Sequence, residues 1–130
     1  MNELIQSIKD NEGFVAEVYK DSLGYDTVGY GTKMPLSKDE AELILKHRLT
    51  QKINHIIEKK PIILTLPQEK QFVLFEMAYQ LGVSGLLKFK KMWKSIESKD
   101  FKEASVEMLD SRWAKQTPNR AKELSERMRA

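Results

Sequence analysis

Between Phe14 and Thr32 the β-forming residues Val15, Val18, Tyr19, Thr27, Val28 and Tyr30 are interrupted by Gly24, Gly29 and Gly31. Glycine weakens a strand interior and permits sharp bends, so this stretch predicts a short, strongly bent hairpin rather than a large sheet. Everything around it has helical spacing. Leu4, Ile5 and Ile8 predict a first helix from about residue 3 to Asn11, with Asn2 placed to cap its start and Gly13 to end it. Ser37-Lys38-Asp39-Glu40 is a capping box. Beyond it Ala41, Leu45, Leu49, Ile53, Ile56 and Ile57 mark one face of a helix that reaches about Lys59, before Pro61. At 1.5 Å per residue that helix is ~30 Å long. Its other faces carry His47, Arg48, Gln51 and Lys52, which suits a spine between a small hairpin lobe and a helical lobe.

Thr65-Leu66-Pro67-Gln68 opens the next helix. Its segment from Phe72 to Leu81 is apolar on nearly all sides, as expected of a central buried helix, and Gly82 ends it. A short segment over Gly85–Lys91, a helix over Met92–Ser98, a helix capped by Asp100 with Glu103, and a last helix opened by Thr117-Pro118 complete the chain. The fold class is therefore α+β, mainly α, in a single domain of 130 residues. The predicted divisions are a hairpin lobe over about 13–36, a connecting helix over about 37–60, and a helical lobe over about 61–130 joined by the first helix, 1–12.

Cysteine is absent and only His47 and His55 are present, so neither a disulfide framework, a metal site nor a cofactor is expected. The N-terminus lacks the basic head and apolar run of a signal peptide, and no run approaches the ~18 residues that span a bilayer. Synthesis in a cytoplasm without stable membrane insertion is the expectation. Net charge is only +3, but Lys88, Lys90, Lys91, Lys94, Lys99 and Lys102 face only Glu97 and Asp100 in their stretch. Such a patch favours a polyanion: a bacterial wall with its acidic polymers, a membrane surface or nucleic acid. A nucleic-acid reading would want aromatics interleaved with the lysines or helix-turn-helix spacing, and neither is evident.

Two carboxylates, Glu12 and Asp21, flank the glycine-rich strip. Glycosidic hydrolysis needs one carboxyl held protonated to donate to the leaving oxygen and another kept ionised on the opposite face of the sugar. Glu12 falls at the C-terminal end of the first helix, where the dipole disfavours negative charge and so suits a proton donor. Taken singly, each reads more simply as a turn residue, and Asp26, beside Thr27, competes with Asp21 as the base. Glu76 interrupts the apolar run of the central helix, so it faces a wet edge or is paired with a cation. Trp93 and Trp113 read as core, and the histidines as surface residues of the spine.

Taken together, the pattern E-G … Y-x-D … G-x-x-T-x-G-x-G over Glu12–Gly31, Tyr79-Gln80-Leu81-Gly82, and Ser111-Arg112-Trp113 … Gln116-Thr117-Pro118-Asn119-Arg120-Ala121 resembles the matching segments of phage-type lysozymes, the family-24 glycoside hydrolases. The resemblance covers most of the chain. It implies a two-lobed lysozyme-like fold and a monomeric enzyme that cleaves the β-1,4 bond between N-acetylmuramic acid and N-acetylglucosamine in bacterial peptidoglycan, with inversion. It implies Glu12 as general acid, Asp21 as the carboxylate that activates water, and Thr27 as the hydroxyl that helps hold that water. Arg120 matches an arginine that orients the acid. Gly31, Lys33, Tyr79 and Gln80 match substrate-binding positions. The implied site of action is the periplasmic wall, reached after release from the host cytoplasm. Thr32 stands where the family often has histidine, and Met92 and Glu107 replace small polar residues that touch wall peptide in some relatives. The alternative is a weak or inactive lysozyme-fold module that binds peptidoglycan without cutting it.

Overall fold

A computed structural model describes all residues from Met1 to Ala130. The order of elements is α1 (Asn2–Glu12), β1 (Val15–Lys20), β2 (Asp26–Gly29), β3 (Thr32–Lys33), α2 (Lys38–Lys59), a 3-10 turn (Pro61–Thr65), α3 (Gln68–Leu81), α4 (Val83–Leu87), α5 (Lys90–Glu97), α6 (Phe101–Leu109), α7 (Arg112–Gln116) and α8 (Pro118–Arg129). The fold is thus α+β and mainly helical. Packing divides it into two compact units, Met1–Ile44 and Leu45–Ala130, with the division falling inside α2.

In the first unit the strands form one antiparallel sheet in the order β1-β2-β3. Thr27 is the centre of its register, paired with Tyr19 on one side and Lys33 on the other. β1 bulges between Val15 and Tyr19, and both Gly29 and Gly31 adopt φ 70° at the β2–β3 turn, a left-handed conformation that glycine enters without steric cost. The strongly bent hairpin expected from the glycines is what forms, extended by a third short strand. α1 is held to the turn by Lys9, whose ammonium lies 5.4 Å from the Tyr30 ring centroid, while Phe14 packs on Tyr30 at 5.5 Å. The helix begins one residue earlier than predicted, with Met1 as its N-cap, so Asn2 lies inside the first turn and caps nothing. Gly13 ends it with φ 70°.

The capping box at the start of α2 is reciprocal. The Ser37 N–H donates to Glu40 Oε1 at 2.8 Å, and the Glu40 N–H donates to Ser37 Oγ at 3.2 Å. The apolar stripe is covered only in its second half: Ile56 is buried and Ile53 and Ile57 pack against the core, whereas Ala41 and Leu45 are exposed.

The second unit holds the hydrophobic core. Val73, Leu74, Phe75, Met77 and Ala78 of α3 are buried, as the all-round apolarity predicts, although Phe72 at the same run's start is 45 % exposed. They pack with Ile56, Ile63, Leu86, Met92, Trp93, Ile96, Met108, Trp113, Leu124 and Met128. Truncating any one of the larger of these to alanine typically costs about 2–5 kcal/mol. Trp93 donates to the Leu86 carbonyl at 3.0 Å, so both tryptophans are core residues with satisfied indoles. Glu76 is both exposed and paired: Arg127 bridges Glu69 at 2.5 Å and Glu76 at 3.3 Å, tying α8 to α3. Lys70 is buried between the same helices, donating to the Arg127 carbonyl at 2.7 Å, and burial pushes its ammonium below the usual lysine range. Asp100 caps α6 by accepting from the Glu103 N–H, as expected. The helices α4 and α5 each start two residues earlier than the sequence suggested. The 3-10 turn and α7 were not anticipated, since five-residue elements carry too little periodicity to read.

Candidate active site

Glu12 is the last residue of α1, and its carboxyl group lies against the backbone of Gly31. A Cβ built on Gly31 would come within 2.6 Å of Glu12 Cδ and 3.0 Å of Glu12 Cγ. The glycine therefore makes the space that the acid side chain occupies, and it does so at a positive φ that also favours glycine. Two independent requirements fall on one residue. The sequence pattern matched Gly31 to a substrate-binding position, whereas its visible effect is to admit Glu12.

Asp21 sits at the end of β1 and organises the loop to β2. Its Oδ1 accepts from the Leu23 N–H at 2.9 Å and the Tyr25 N–H at 2.8 Å, while its own N–H donates to the Tyr25 carbonyl at 2.9 Å. Its Oδ2 accepts from Lys33 Nζ at 2.7 Å. The Lys33 hydrogen bond, followed by that from the Tyr25 N–H, holds the Asp21 carboxyl below the usual carboxylate range. Asp21 is thus fixed in its ionised form. Lys33 is pushed above the usual lysine range, first by Asp21 and then, more weakly, by the charge on Glu12. Its ammonium answers to both carboxylates, and its direct partner is Asp21.

Thr27 is 1 % exposed and its hydroxyl donates to the Tyr25 carbonyl at 2.9 Å. The main chain of Tyr25 consequently joins three groups: its N–H meets the Asp21 carboxylate, and its carbonyl receives both the Asp21 N–H and the Thr27 hydroxyl. This positioning role was missed from sequence, because peptide groups leave no residue-type signal. With its proton committed, Thr27 Oγ1 keeps lone pairs to accept a hydrogen bond.

Asp26, the competing carboxylate, pairs across β1–β2 with Lys20 at 2.7 Å, and both side chains are well exposed. It has the geometry of a surface ion pair. In the second unit, Tyr79 is 37 % exposed on α3. Gln80 accepts from Trp113 Nε1 at 2.9 Å, which leaves its amide NH₂ available. Arg120 lies in the first turn of α8 and is exposed. No group of three or more His, Asp or Glu side chains converges as a metal site. No helix is long and apolar enough to cross a membrane.

A carboxylate held ionised just after β1 and a glutamate at the end of α1 are the residue types that an acid/base hydrolase uses. The family model described as Phage lysozyme matches residues 9–130, and the chain belongs to that family. It is similar to probable T4-type lysozyme 1 of Dictyostelium discoideum, 31% identical over an alignment 156 positions long, gaps included, that covers 91% of this chain and 91% of the relative. Probable T4-type lysozyme 2 of the same organism is 30% identical, with the same coverage of both chains. The pre-baseplate central spike protein Gp5 of Enterobacteria phage T4 is 27% identical over 91% of this chain, which corresponds to 26% of that longer protein. The family is one of lysozymes, glycoside hydrolases acting on peptidoglycan.

Proposed function

We propose that the chain is an active muramidase that hydrolyses the β-1,4 bond between N-acetylmuramic acid and N-acetylglucosamine of peptidoglycan with inversion at the anomeric carbon. Glu12 donates its proton to the leaving oxygen. Asp21, kept ionised by Lys33 and the Tyr25 N–H, draws the proton from a water that attacks the opposite face, and Thr27 Oγ1 accepts from that water. Inverting hydrolysis calls for carboxyl groups about 6.5–9.5 Å apart, leaving room for the water. Gly31, Lys33, Tyr79 and Gln80 contact the sugar chain, and Arg120 orients the acid. The enzyme works as a monomer and meets the wall after release from the cytoplasm.

The observation that carries the reading is the contrast between the two aspartates: Asp21 is gripped by a lysine and two backbone donors at a loop, while Asp26 is spent in an exposed pair. A binding module would have no need of a carboxylate held ionised in this way. The test is to digest purified peptidoglycan, follow the initial anomer of the unreduced products by proton NMR, and reduce a separate portion with borohydride to identify the new end. Muramitol-ended fragments and initial formation of the α anomer support the proposal. Glucosaminitol ends or an initial β anomer would overturn the bond assignment or the mechanism respectively.

A further inference from the structure

The second unit carries a recess of about 740 Å³ that the hydrolytic chemistry does not use. One wall is α2, which presents Arg48, Gln51, Lys52 and His55, and the other is formed by Tyr79 with the start of α4 at Ser84. Arg48, Lys52 and His55 follow one another at intervals of four and three residues, so they stand in a row on one helix face. No Asp or Glu lines the recess, and no ion pair ties any of the three basic side chains. That is unusual in a chain where 19 acidic residues nearly balance 22 Lys and Arg. Lys52 is half-buried against the helix, and the hydroxyls of Tyr79 and Ser84 add donors opposite.

We infer that this recess binds successive phosphate groups of a phosphodiester polymer. Unpaired cations around a concave surface attract an anion, and an Arg guanidinium with a Lys ammonium is a pairing well matched to phosphate oxygens. The row from Arg48 to His55 spans about 10 Å along the helix, longer than a single phosphate. The volume likewise exceeds what a lone oxyanion fills. A chain of anionic groups uses the whole row, whereas a free anion uses one end of it. The choice of polymer rests on the wall-hydrolase reading, because bacterial walls carry phosphodiester polymers alongside peptidoglycan. Tyr79 borders the recess, so a polymer held there lies beside a residue assigned to the sugar chain.

The experiment is a calorimetric titration of the full chain with a short synthetic glycerol-phosphate oligomer, with inorganic phosphate and a neutral chitin oligosaccharide as comparison ligands. The Arg48→Gln/Lys52→Gln double variant is expected to weaken oligomer binding about tenfold or more, the loss of at least one charge-assisted contact. Lys115→Gln/Lys122→Gln, which removes the same charge from exposed positions elsewhere, is expected to change it by less than about twofold. Amide NMR shifts on adding oligomer should centre on Gln51, Tyr79 and Ser84. Equal weakening by both double variants would show diffuse charge attraction and overturn the site. Binding of phosphate as tight as that of the oligomer would overturn the polymer assignment. Peptidoglycan stripped of phosphate polymers should be cleaved equally by wild type and Arg48→Gln/Lys52→Gln. Loss of hydrolysis by wild type would instead refute the muramidase reading and leave the titration result standing.

Discussion

Gly31→Ala separates the stability role of a glycine from its role in the site. At φ 70° an alanine is strained by about 1–2 kcal/mol, and Gly29, at the same φ, would suffer the same strain. The surroundings differ. Nothing lies within 4 Å of a Cβ on Gly29, but on Gly31 the new methyl would stand 2.6 Å from Glu12 Cδ. Restoring ordinary contact requires the carboxyl group to retreat by about 0.8 Å, and because it is the end of a flexible side chain it moves rather than the backbone. Misplacement of a catalytic group by about 1 Å can cost on the order of 10²-fold in rate. The two alanine variants should therefore lose similar stability in urea unfolding, while Gly31→Ala loses roughly 10²-fold in wall-cleavage rate per folded molecule and Gly29→Ala stays within a few-fold of wild type. Equal activity of the two variants, both folded, would refute the argument that Gly31 exists to admit Glu12.

Other outcomes follow from the same geometry. Asp21→Asn should inactivate the enzyme while Asp26→Asn leaves it within a few-fold of wild type, and the reverse result in a turbidity assay would move the base to Asp26. Lys33→Gln removes the main group that holds Asp21 ionised, so the acid limb of the pH–rate profile should move to higher pH. Because the folded carboxyl lies below its unfolded value, the associated stability is present above about pH 4 and is lost as pH falls through the folded value; that acid-side loss should shrink in Lys33→Gln. An acid limb that stays in place would show that Asp21 is not the titrating base. Gln80→Ala leaves the Trp113 indole N–H without its acceptor and should cost about 1–3 kcal/mol in chemical unfolding, whatever it does to substrate affinity.

Much of this fold was legible because its punctuation is chemical. Ser37 with Glu40, Asp100 with Glu103, and Gly13 and Gly82 each mark a helix end through a backbone group that must be satisfied or a φ that must be positive. The all-round apolar face of α3 announced burial in the same way. Asn2 misled because a capping residue type stands one position inside the helix, where Met1 takes the N-cap position instead. The α2 stripe shows a second limit: spacing identifies the face from Ala41 to Ile57, but only contact decides that Ile56 is covered and Leu45 is not. At the site, residue types gave the acid and base candidates, yet the different surroundings of Asp21 and Asp26 needed register. The pairing of Lys20 with Asp26 and of Thr27 with Lys33 assigns each lysine to a different carboxylate, and pairing across strands cannot be read along one of them. The Tyr25 main-chain junction was invisible for a simpler reason, since any residue supplies the same peptide groups.

The most direct test of the central claim, that Glu12 supplies the proton for glycosidic cleavage, is the clearing rate of purified peptidoglycan by wild type and by Glu12→Gln with matching circular dichroism and unfolding curves. The amide keeps nearly the same shape beside Gly31 but cannot donate a catalytic proton. The account predicts clearing by wild type and a fall of about 10²–10⁴-fold or more in the variant. A folded Glu12→Gln protein that clears the wall at a rate near that of wild type would contradict it.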